Sequence, residues 1–371
     1  MRGHVRKRGD KWVAIIDLPS TNGKRKQKWL SGFETKKAAE RAMAEALVKI
    51  DRGTFVEASK QTLSDYFDTW LKAMRGQVKE STLHSYEGIV NKRIRPSLGM
   101  LTLHRLTRSH LEAFYTDLLE AGLAPSSIGH THAVLSRALR DAVDQHLIVR
   151  NPAYGARKPK VPNRQVRTWS AREVSRFLES VRHDRLSALY LVAVTTGMRR
   201  GEVVGLRWRD VDLEKGRATI LQTYVRSGAG WAFSDPKTNA SRRTIALDTH
   251  TLDALREHRR RQMLERTLMG DAYEENDLIF AREDGAPLEP RYVSERFDTL
   301  SKETKLARIR FHDLRHTHAT LALQAGVHPK VVQERLGHSD ISITLQTYSH
   351  VLPGMQEEAA EQVASLLFGD A

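Results

Sequence analysis

Cysteine is missing from this chain of 371 residues, which excludes disulfide bonds and thiolate metal sites. Long apolar runs are missing as well, and none approaches the ~18 residues that a membrane-spanning helix needs. The basic N-terminal residues 1–8 are not followed by the apolar stretch of a signal peptide. These absences argue against disulfide scaffolds and integral membrane proteins, and we expect a protein of the reducing cytoplasm.

Acidic residues are fewer than basic residues in this chain. The chain has 45 Asp and Glu against 60 Lys and Arg, which gives a net charge of +15 and a pI near 10.0. The basic residues are spread over the whole length instead of forming one tail. This favours a polyanionic partner, and nucleic acid first. The length predicts two or three domains.

Residues 1–56 form the first predicted unit. Alternating patterns predict strands at residues 4–8, 11–18 and 24–30, followed by a helix that Thr35 caps and that runs to Gly53. The unit holds 14 Lys and Arg against 6 Asp and Glu. Such a sheet can lie on a DNA backbone, and the candidate contacts are Arg6, Arg8, Lys24, Arg25, Lys26 and Lys28. The alternative is an appendage whose charges only face solvent.

Residues 60–155 have helical periodicity. Thr62 and Asp65 form a predicted capping box, and three further helices have the candidate caps Ser81, Thr107 and Ser126. Four or five such helices would make a compact bundle. Residues 156–167 are basic, contain two prolines and are predicted to be a linker. The candidate DNA contacts of the bundle and the linker are Lys92, Arg93, Arg137, Lys158 and Lys160.

The third predicted unit is residues 168–371. A capping box of Ser170 and Glu173 predicts the first helix, and a β-hairpin is predicted where the periodicity changes, around residues 234–239. The predicted strands are 217–225 and 242–247, and the predicted helices are 171–181, 186–194, 251–264, 290–302, 315–325, 329–336 and 355–368. The expected fold class is multidomain α+β: an N-terminal three-stranded sheet with one helix, a helical domain, and a mainly α-helical domain with a small antiparallel sheet.

Residues 310–351 carry the most distinctive chemistry. His312 and Arg315 are three positions apart, so a helix would place both on one face. A guanidinium matches phosphate oxygens, and an imidazole can exchange a proton near neutral pH. Tyr348 adds a phenol, which can attack phosphorus if a base takes its proton and cations neutralise the phosphate oxygens.

Five elements in sequence order resemble the tyrosine recombinase (phage integrase) family. They are residues 196–202, Lys237 within a strand pair, residues 312–317, residues 336–338, and Tyr348, which follows His338 by ten positions. The two upstream units resemble the core-binding helical domain and the three-stranded arm-binding domain of lambda-type integrases.

The resemblance implies a role for each matched residue. Arg199 and Arg315 would bind the non-bridging oxygens of the scissile phosphate, and His338 would hydrogen-bond the same group. Lys237 would protonate the leaving 5′ oxygen. Tyr348 would form a 3′-phosphotyrosine, and its proton would pass to His312, alone or together with other groups. Glu202 would brace Arg199 or its helix.

Each of these residues, taken alone, has an ordinary structural interpretation. Arg199 can complement a helix dipole, Lys237 can be a loop lysine, and Tyr348 can be a half-buried aromatic residue. Their joint order favours the catalytic interpretation. For Arg200, His316, His318 and His350 we expect structural roles or supporting roles just outside the catalytic groups. We expect no metal site, since the histidine pairs 130/132 and 316/318 are two positions apart and fall on different helix faces.

The resemblance further implies double-stranded DNA with core and arm attachment sites, a homotetramer on DNA, and neither cofactor nor ATP. A host DNA-bending factor and an excisionase are the other expected partners, and the nucleoid of a bacterial host is the expected location. The predicted C-terminal helix has an apolar stripe, which would pack on its own core or on a neighbouring subunit. The alternative functions are a non-catalytic DNA-binding regulator, a resolvase of chromosome or plasmid dimers from the same family, and a type IB topoisomerase.

Overall fold

The computed structural model describes residues 3–18, 26–51, 60–162, 166–228, 230–235, 241–348 and 355–369. For residues 26, 343, 346–348, 355–359, 361 and 362 it describes the backbone only. The chain divides into two compact units, residues 1–162 and 163–371. In the part of the chain that is described, no helix is both long and apolar enough to cross a membrane.

The first unit begins with an antiparallel sheet of β1 (Gly3–Arg8), β2 (Lys11–Leu18) and β3 (Lys26–Phe33), in which β2 is central. Helix α1 (Lys36–Asp51) covers one face of the sheet through a small core of Ile16, Ala46 and Ile50. Thr35 caps α1 as predicted, since its Oγ1 accepts a hydrogen bond from the Ala38 backbone at 3.2 Å.

A helical bundle follows in the same unit. It comprises α2 (Leu63–Met74), α3 (Glu80–Ile89), a π-helical turn (Val90–Ile94), α4 (Arg95–Leu98), α5 (Arg108–Glu120) and α6 (Pro125–Asp144). The capping box of Thr62 and Asp65 is present, and Thr107 caps α5. The two other predicted caps are wrong, because α3 starts at Glu80 and α6 at Pro125, so that Ser81 and Ser126 already lie inside the helices. Proline suits the first position of a helix, which accounts for the start of α6.

The second unit is mainly helical. Its helices are α7 (Ala171–Ser180), α8 (Ser187–Thr196), α9 (Arg200–Val204), α10 (Thr249–Met269), α11 (Pro290–Glu303), α12 (Asp313–Gln324), α13 (Pro329–Leu336), α14 (Ile341–Tyr348) and α15 (Met355–Phe368). The capping box of Ser170 and Glu173 starts α7 as predicted. The core is built on a cluster of buried aromatic rings, Trp169, Phe177, Tyr190, Phe297 and Phe311.

The strands of this unit differ from the prediction. The single predicted strand 217–225 is two strands, β5 (Arg217–Ile220) and β6 (Thr223–Ser227). Strand β5 lies between β4 (Val211–Asp212) and β8 (Arg243–Ala246), whereas β6 forms a hairpin with β7 (Gly230–Ser234). The strand breaks at Gln222, whose side-chain amide donates to the Gly205 carbonyl at 2.8 Å. The predicted α+β class is nonetheless confirmed.

Two short helices of the second unit, α9 and α14, were not predicted. Three β-branched residues, at positions 341, 343 and 344, weaken the helical signal of α14. The local start signal is Asp340, whose carboxylate accepts a hydrogen bond from the Ser342 backbone at 2.7 Å.

Gly197 lies where α8 ends and where α12 and α13 pack closely. It adopts a left-handed conformation with φ = 65°, which favours glycine. A Cβ atom at this position would stand 2.7 Å from the Leu336 side chain and 2.8 Å from the His318 ring. Both the conformation and the contacts therefore require glycine here.

We expect Gly197→Ala to lower the free energy of unfolding of the second unit by about 2–4 kcal/mol, because it adds strain at positive φ to overpacking. Urea unfolding followed by tryptophan fluorescence measures the loss. The matched control is Gly230→Ala in β7, where a Cβ meets nothing within 4 Å and φ is not positive. This control should stay within about 0.5 kcal/mol of the wild type. Equal losses in the two variants would contradict the role of Gly197.

Candidate active site

Arg199 is held between two motifs that are far apart in the sequence. It is the N-cap residue of α9, and its backbone N–H donates to Glu202 Oε2 at 2.9 Å. Its guanidinium donates to Glu202 Oε1 at 2.8 Å and to the Gly337 carbonyl at 3.2 Å. The side chain is 38% exposed, so a fixed guanidinium remains open to a ligand.

Glu202 is the buried carboxylate of this site, with a side chain only 3% exposed. Besides Arg199 it binds Arg243, which donates through both terminal nitrogens at 3.2 and 2.9 Å. Burial raises the pKa of Glu202, but the hydrogen bonds and charge of Arg243 and the charge of Arg199 outweigh it, so the pKa lies below the ordinary value. The family resemblance implied that Glu202 braces Arg199 or its helix, and in the structure Glu202 contacts the Arg199 side chain.

Arg243 is a residue of the site that the sequence interpretation missed. It lies in β8, is 7% exposed, and also donates through Nε to the Arg335 carbonyl at 2.6 Å. The sequence carried a partial signal, because alternation in the predicted strand 242–247 places Arg243 on the same face as Ile245. Only the structure shows that this face is buried at Ser241 and Ile245.

Arg315 and His312 lie at the start of α12. Arg315 is buried, and its Nη1 donates to the Gly197 carbonyl at 2.8 Å. His312 occupies the N-cap position and meets the ring of His316 edge-on, with centroids 5.7 Å apart. Although His312 is exposed at the surface, desolvation by the surrounding protein and the positive charges of His316 and Arg315 lower its pKa to about 4. The ring is therefore neutral at pH 7.

His338 follows Gly337, whose left-handed conformation ends α13. Its Nδ1 lies 2.9 Å from the buried Thr344 hydroxyl of α14. Burial and the positive charges of Arg315 and Arg199 lower the pKa of His338 to about 4. Arg199 also binds the carbonyl of Gly337, the residue that precedes His338. The buried Gln333 fixes the turn, because its amide donates to the His338 carbonyl at 2.8 Å.

Tyr348 is the last residue of α14, one helical turn beyond Thr344. The backbone of the candidate nucleophile is thus carried by the helix that Thr344 links to His338. The side chain of Tyr348 belongs to the part that is not described, as does the whole of Lys237. The described residues that flank Lys237 are Asp235 and Ser241. Asp235 accepts a hydrogen bond from Arg242 at 3.1 Å.

His318 has a structural position. It is 9% exposed, and its Nδ1 donates to the Val194 carbonyl at 2.9 Å, which ties α12 to α8. Burial and the positive charge of Arg335 lower its pKa to about 4. His350 lies outside the described residues.

The candidate DNA contacts of the N-terminal sheet do not all share one face. Trp29 pairs with Ile15 and Arg6 pairs with Val13, so these side chains occupy the face opposite α1. The guanidiniums of Arg6 and Arg8 lie 4.5 and 5.6 Å from the centre of the Trp29 ring. Lys28 pairs with Ile16 and is on the side of α1. Lys24 and Arg25 are outside the described residues, and only the backbone of Lys26 is described.

The candidates in the helical bundle also separate into two groups. Lys92, Lys158 and Lys160 are exposed. Arg93 instead donates to the Ser127 carbonyl at 3.2 Å and to the Thr131 hydroxyl at 3.0 Å, and Arg137 donates to the Tyr86 hydroxyl at 3.0 Å. The structure gives these two arginines internal contacts that join helices of the bundle.

The arrangement suits a tetrahedral anion. Arg199 and Arg315 provide two guanidiniums in fixed positions, and His312 and His338 provide neutral imidazoles. Within the described ranges, no group of three His, Asp or Glu side chains gathers in a way that could hold a metal ion. The charge of a phosphate bound here would meet the guanidiniums of Arg199 and Arg315.

Comparison with known proteins gives a consistent result over most of the chain. The model described as the phage integrase family matches residues 168–355. The models described as phage integrase, N-terminal SAM-like domain, and arm DNA-binding domain match residues 62–119 and 4–50. A protein named Tyrosine recombinase XerC-like, from Caldanaerobacter subterraneus subsp. tengcongensis, is 31% identical over 365 residues, which cover 93% of each chain. The ICEBs1 integrase of Bacillus subtilis is 26% identical over 330 residues, covering 86% of this chain and 88% of the relative.

Two groups of solved structures share the fold. The Tn1549 transposon integrase in complex with a circular intermediate DNA superposes with a TM-score of 0.71 at 20% identity, covering 82% of this chain and 100% of that one. A lambda integrase tetramer bound to a Holliday junction gives a TM-score of 0.58 at 20% identity, covering 93% and 94%. At this identity the likeness establishes the fold.

The position of His318 predicts a pH dependence of stability. Its pKa is about 4 in the folded chain and ~6.5 when unfolded, so the unfolded state binds more protons between these values. Stability should therefore be full above pH 6.5 and should fall as the pH drops toward 4, by about 1.4 kcal/mol per pH unit for this one group. Urea unfolding at a series of pH values measures the slope.

The matched variant is His318→Asn, whose amide can still donate to the Val194 carbonyl but does not titrate. The slope should become shallower without vanishing, because the pKa values of His312 and His338 are lowered in the same way. An unchanged slope would show that His318 does not titrate as described.

Proposed function

Because this chain belongs to the phage integrase family of tyrosine recombinases, we propose that it integrates a phage or another mobile element at a specific DNA site. It cuts and rejoins one strand of each duplex at a time through a Holliday junction, with neither metal nor ATP. The observation that carries this proposal is the meeting of Arg199, Arg315 and His338 beside the helix that ends in Tyr348.

The scissile phosphate binds first. Arg199 and Arg315 bind its two non-bridging oxygens, where negative charge increases as phosphorus becomes pentacoordinate. Both guanidiniums are fixed before DNA arrives, Arg199 by Glu202 and Arg315 by the Gly197 carbonyl. Little reorganisation is then needed in the transition state. His338 hydrogen-bonds the same phosphate while Thr344 orients its ring.

Two proton transfers accompany strand cleavage. The Tyr348 oxygen attacks phosphorus and forms a 3′-phosphotyrosine, and the phenolic proton passes to His312, alone or with other groups. With a pKa of about 4, His312 is a weak base in the free protein, but a bound phosphate raises that pKa because its negative charge stabilises the imidazolium. Lys237 gives a proton to the leaving 5′ oxygen, which departs as a hydroxyl.

Strand joining is the reverse of cleavage with a different hydroxyl. The phosphotyrosine bond conserves the energy of the broken phosphodiester, so a 5′-hydroxyl of the partner duplex can attack it directly. That attack releases Tyr348 and returns its proton. Two such exchanges form the Holliday junction and two more resolve it, so a homotetramer on two duplexes supplies the four active sites that the reaction requires.

Each domain takes a different part of the DNA. The N-terminal sheet binds arm sites with the face that carries Arg6, Arg8 and Trp29, while the helical bundle and the catalytic domain clamp the core site. The match of an arm DNA-binding model to residues 4–50 favours an integrase over a resolvase of DNA dimers. A DNA-bending host factor and an excisionase are the further partners that such an assembly uses to join distant sites and to set direction.

The test of the chemistry is a nicked attachment-site duplex that traps the covalent intermediate. The wild type should form a protein–DNA adduct, and Tyr348→Phe should form at least ~10³-fold less, because phenylalanine has no nucleophilic oxygen. Its affinity for the same duplex should stay within about threefold of the wild type. If the wild type formed no adduct, the chain would be a DNA-binding regulator without catalytic activity. If Tyr348→Phe formed as much adduct as the wild type, the nucleophile would be another residue.

The test of the domain assignment separates arm from core sites. Deleting residues 1–56 should abolish arm-site binding and leave core-site cleavage intact. The combined variant Arg6→Ala and Arg8→Ala keeps the sheet, and it should lose arm affinity while the slope of log K against log salt falls by about 2. Arm binding that survives the deletion would place the arm-binding surface elsewhere.

A further inference from the structure

A cleft of about 940 Å³ opens beside the candidate active site. Its walls are the start of α9, the hairpin of β6 and β7, and α11, and it reaches the residues before α12. Arg199 and His312 of the candidate active site line one part of the cleft, and Arg200, Tyr224, Trp231 and Ser294 line another.

Arg200 is the unexplained residue of this cleft. It is the first residue of α9 and is half-buried, and its Nη1 donates to the uncharged Ser294 hydroxyl at 2.6 Å. Burial lowers its pKa, with no opposing contribution from a carboxylate. Among the described side chains, no Asp or Glu forms an ion pair with it. The N-terminal end of a helix is also unfavourable for a cation.

The acidic residues of the cleft are engaged by other cations. Glu295 pairs with Arg291 at 2.6 Å, and Asp298 pairs with Lys302 at 2.8 Å and with Arg308 at 3.0 Å. The neighbouring Arg199, by contrast, has Glu202. A half-buried charge without a counter-ion is unfavourable, so the charge of Arg200 is suited to an anion that comes from outside the protein.

The side chains of Arg199 and Arg200 contact different parts of the second unit. Arg199 donates to the Gly337 carbonyl after α13, whereas Arg200 donates to Ser294 on α11. A DNA strand that crosses Arg199 at its scissile phosphate can therefore continue into the cleft and meet Arg200. The rings of Tyr224 and Trp231, stacked at 5.9 Å, form an apolar wall beside that path, which suits contact with deoxyribose.

Resting on the recombinase function proposed above, we propose that Arg200 binds a backbone phosphate adjacent to the scissile one and positions the strand for attack. The sequence alone indicated only a structural role for this residue. Arg200 does not touch the reacting atoms, and it acts by holding the neighbouring nucleotide.

The experiment pairs single-charge changes on the protein and on the DNA. A set of core half-site duplexes carries one uncharged methylphosphonate at successive positions on either side of the cleavage site, and fluorescence anisotropy gives Kd for the full-length wild type and for Arg200→Ala. In the wild type, one flanking methylphosphonate should weaken binding by about 10-fold or more. Arg200→Ala should show a similar loss on unmodified DNA and no further loss from that same methylphosphonate.

The controls separate phosphate binding from a structural role. Arg226→Ala removes an exposed arginine that lines the same cleft, and it should retain the sensitivity to that methylphosphonate. Arg200→Lys keeps the charge and should recover part of the sensitivity. If Arg200→Ala proves unstable by circular dichroism, Arg200→Gln can still donate to Ser294 and replaces it.

Two results would overturn the proposal. One is a loss of affinity in Arg200→Ala that is equal for every duplex, with the wild-type sensitivity retained at all positions. The other is unchanged affinity in Arg200→Ala. Failure of the proposed recombinase function would be seen in a different experiment. In that case the wild-type protein would form no covalent adduct, whatever effect the methylphosphonates have on binding.

Discussion

The ion pairs of one buried carboxylate hold the candidate active site together. Glu202 binds Arg199 and Arg243 at once, and Arg243 in turn binds the Arg335 carbonyl. One acidic side chain thereby connects α9, strand β8 and helix α13. A buried carboxylate is stable only when it is paired and hydrogen-bonded, so the position of each arginine depends on it.

The glycine turns at Gly197 and Gly337 connect the two arginines of the site to the ends of helices α8 and α13. Arg199 follows the turn at Gly197 and donates to the carbonyl of Gly337, while Arg315 donates to the carbonyl of Gly197. Both glycines adopt the left-handed conformation that ends a helix, where carbonyl groups are left without an intrahelical partner. Helix termination thus supplies the acceptors that fix the guanidiniums, and close packing at Gly197 makes the arrangement rigid.

The basic residues of the chain have different roles. Some of them are structural, since Arg93 and Arg137 join helices of the bundle, and Arg310 pairs with Asp313 at 2.8 Å. Arg6 and Arg8 instead lie beside Trp29, and Arg200 lies in the cleft, and these are the arginines that we propose for DNA contacts. The partners that packing brings within reach, whether a carbonyl, a hydroxyl or a carboxylate, decide which arginines are structural. Composition by itself favours a polyanionic partner and does not say which arginines contact it.

The sequence by itself determined the α+β class, the capped helix starts at Ser170 and Thr62, and the order of the motifs that identify the family. Those features depend on local chemistry and on spacing along the chain, and both can be read without a fold. The tertiary structure decided the division of residues 217–225 into two strands, the burial of Arg243 and the internal contacts of Arg93. It also decided that no described Asp or Glu forms an ion pair with Arg200. Each of these features depends on contacts with side chains or carbonyl groups that are distant in the sequence. Such contacts form only when the helices and strands pack together.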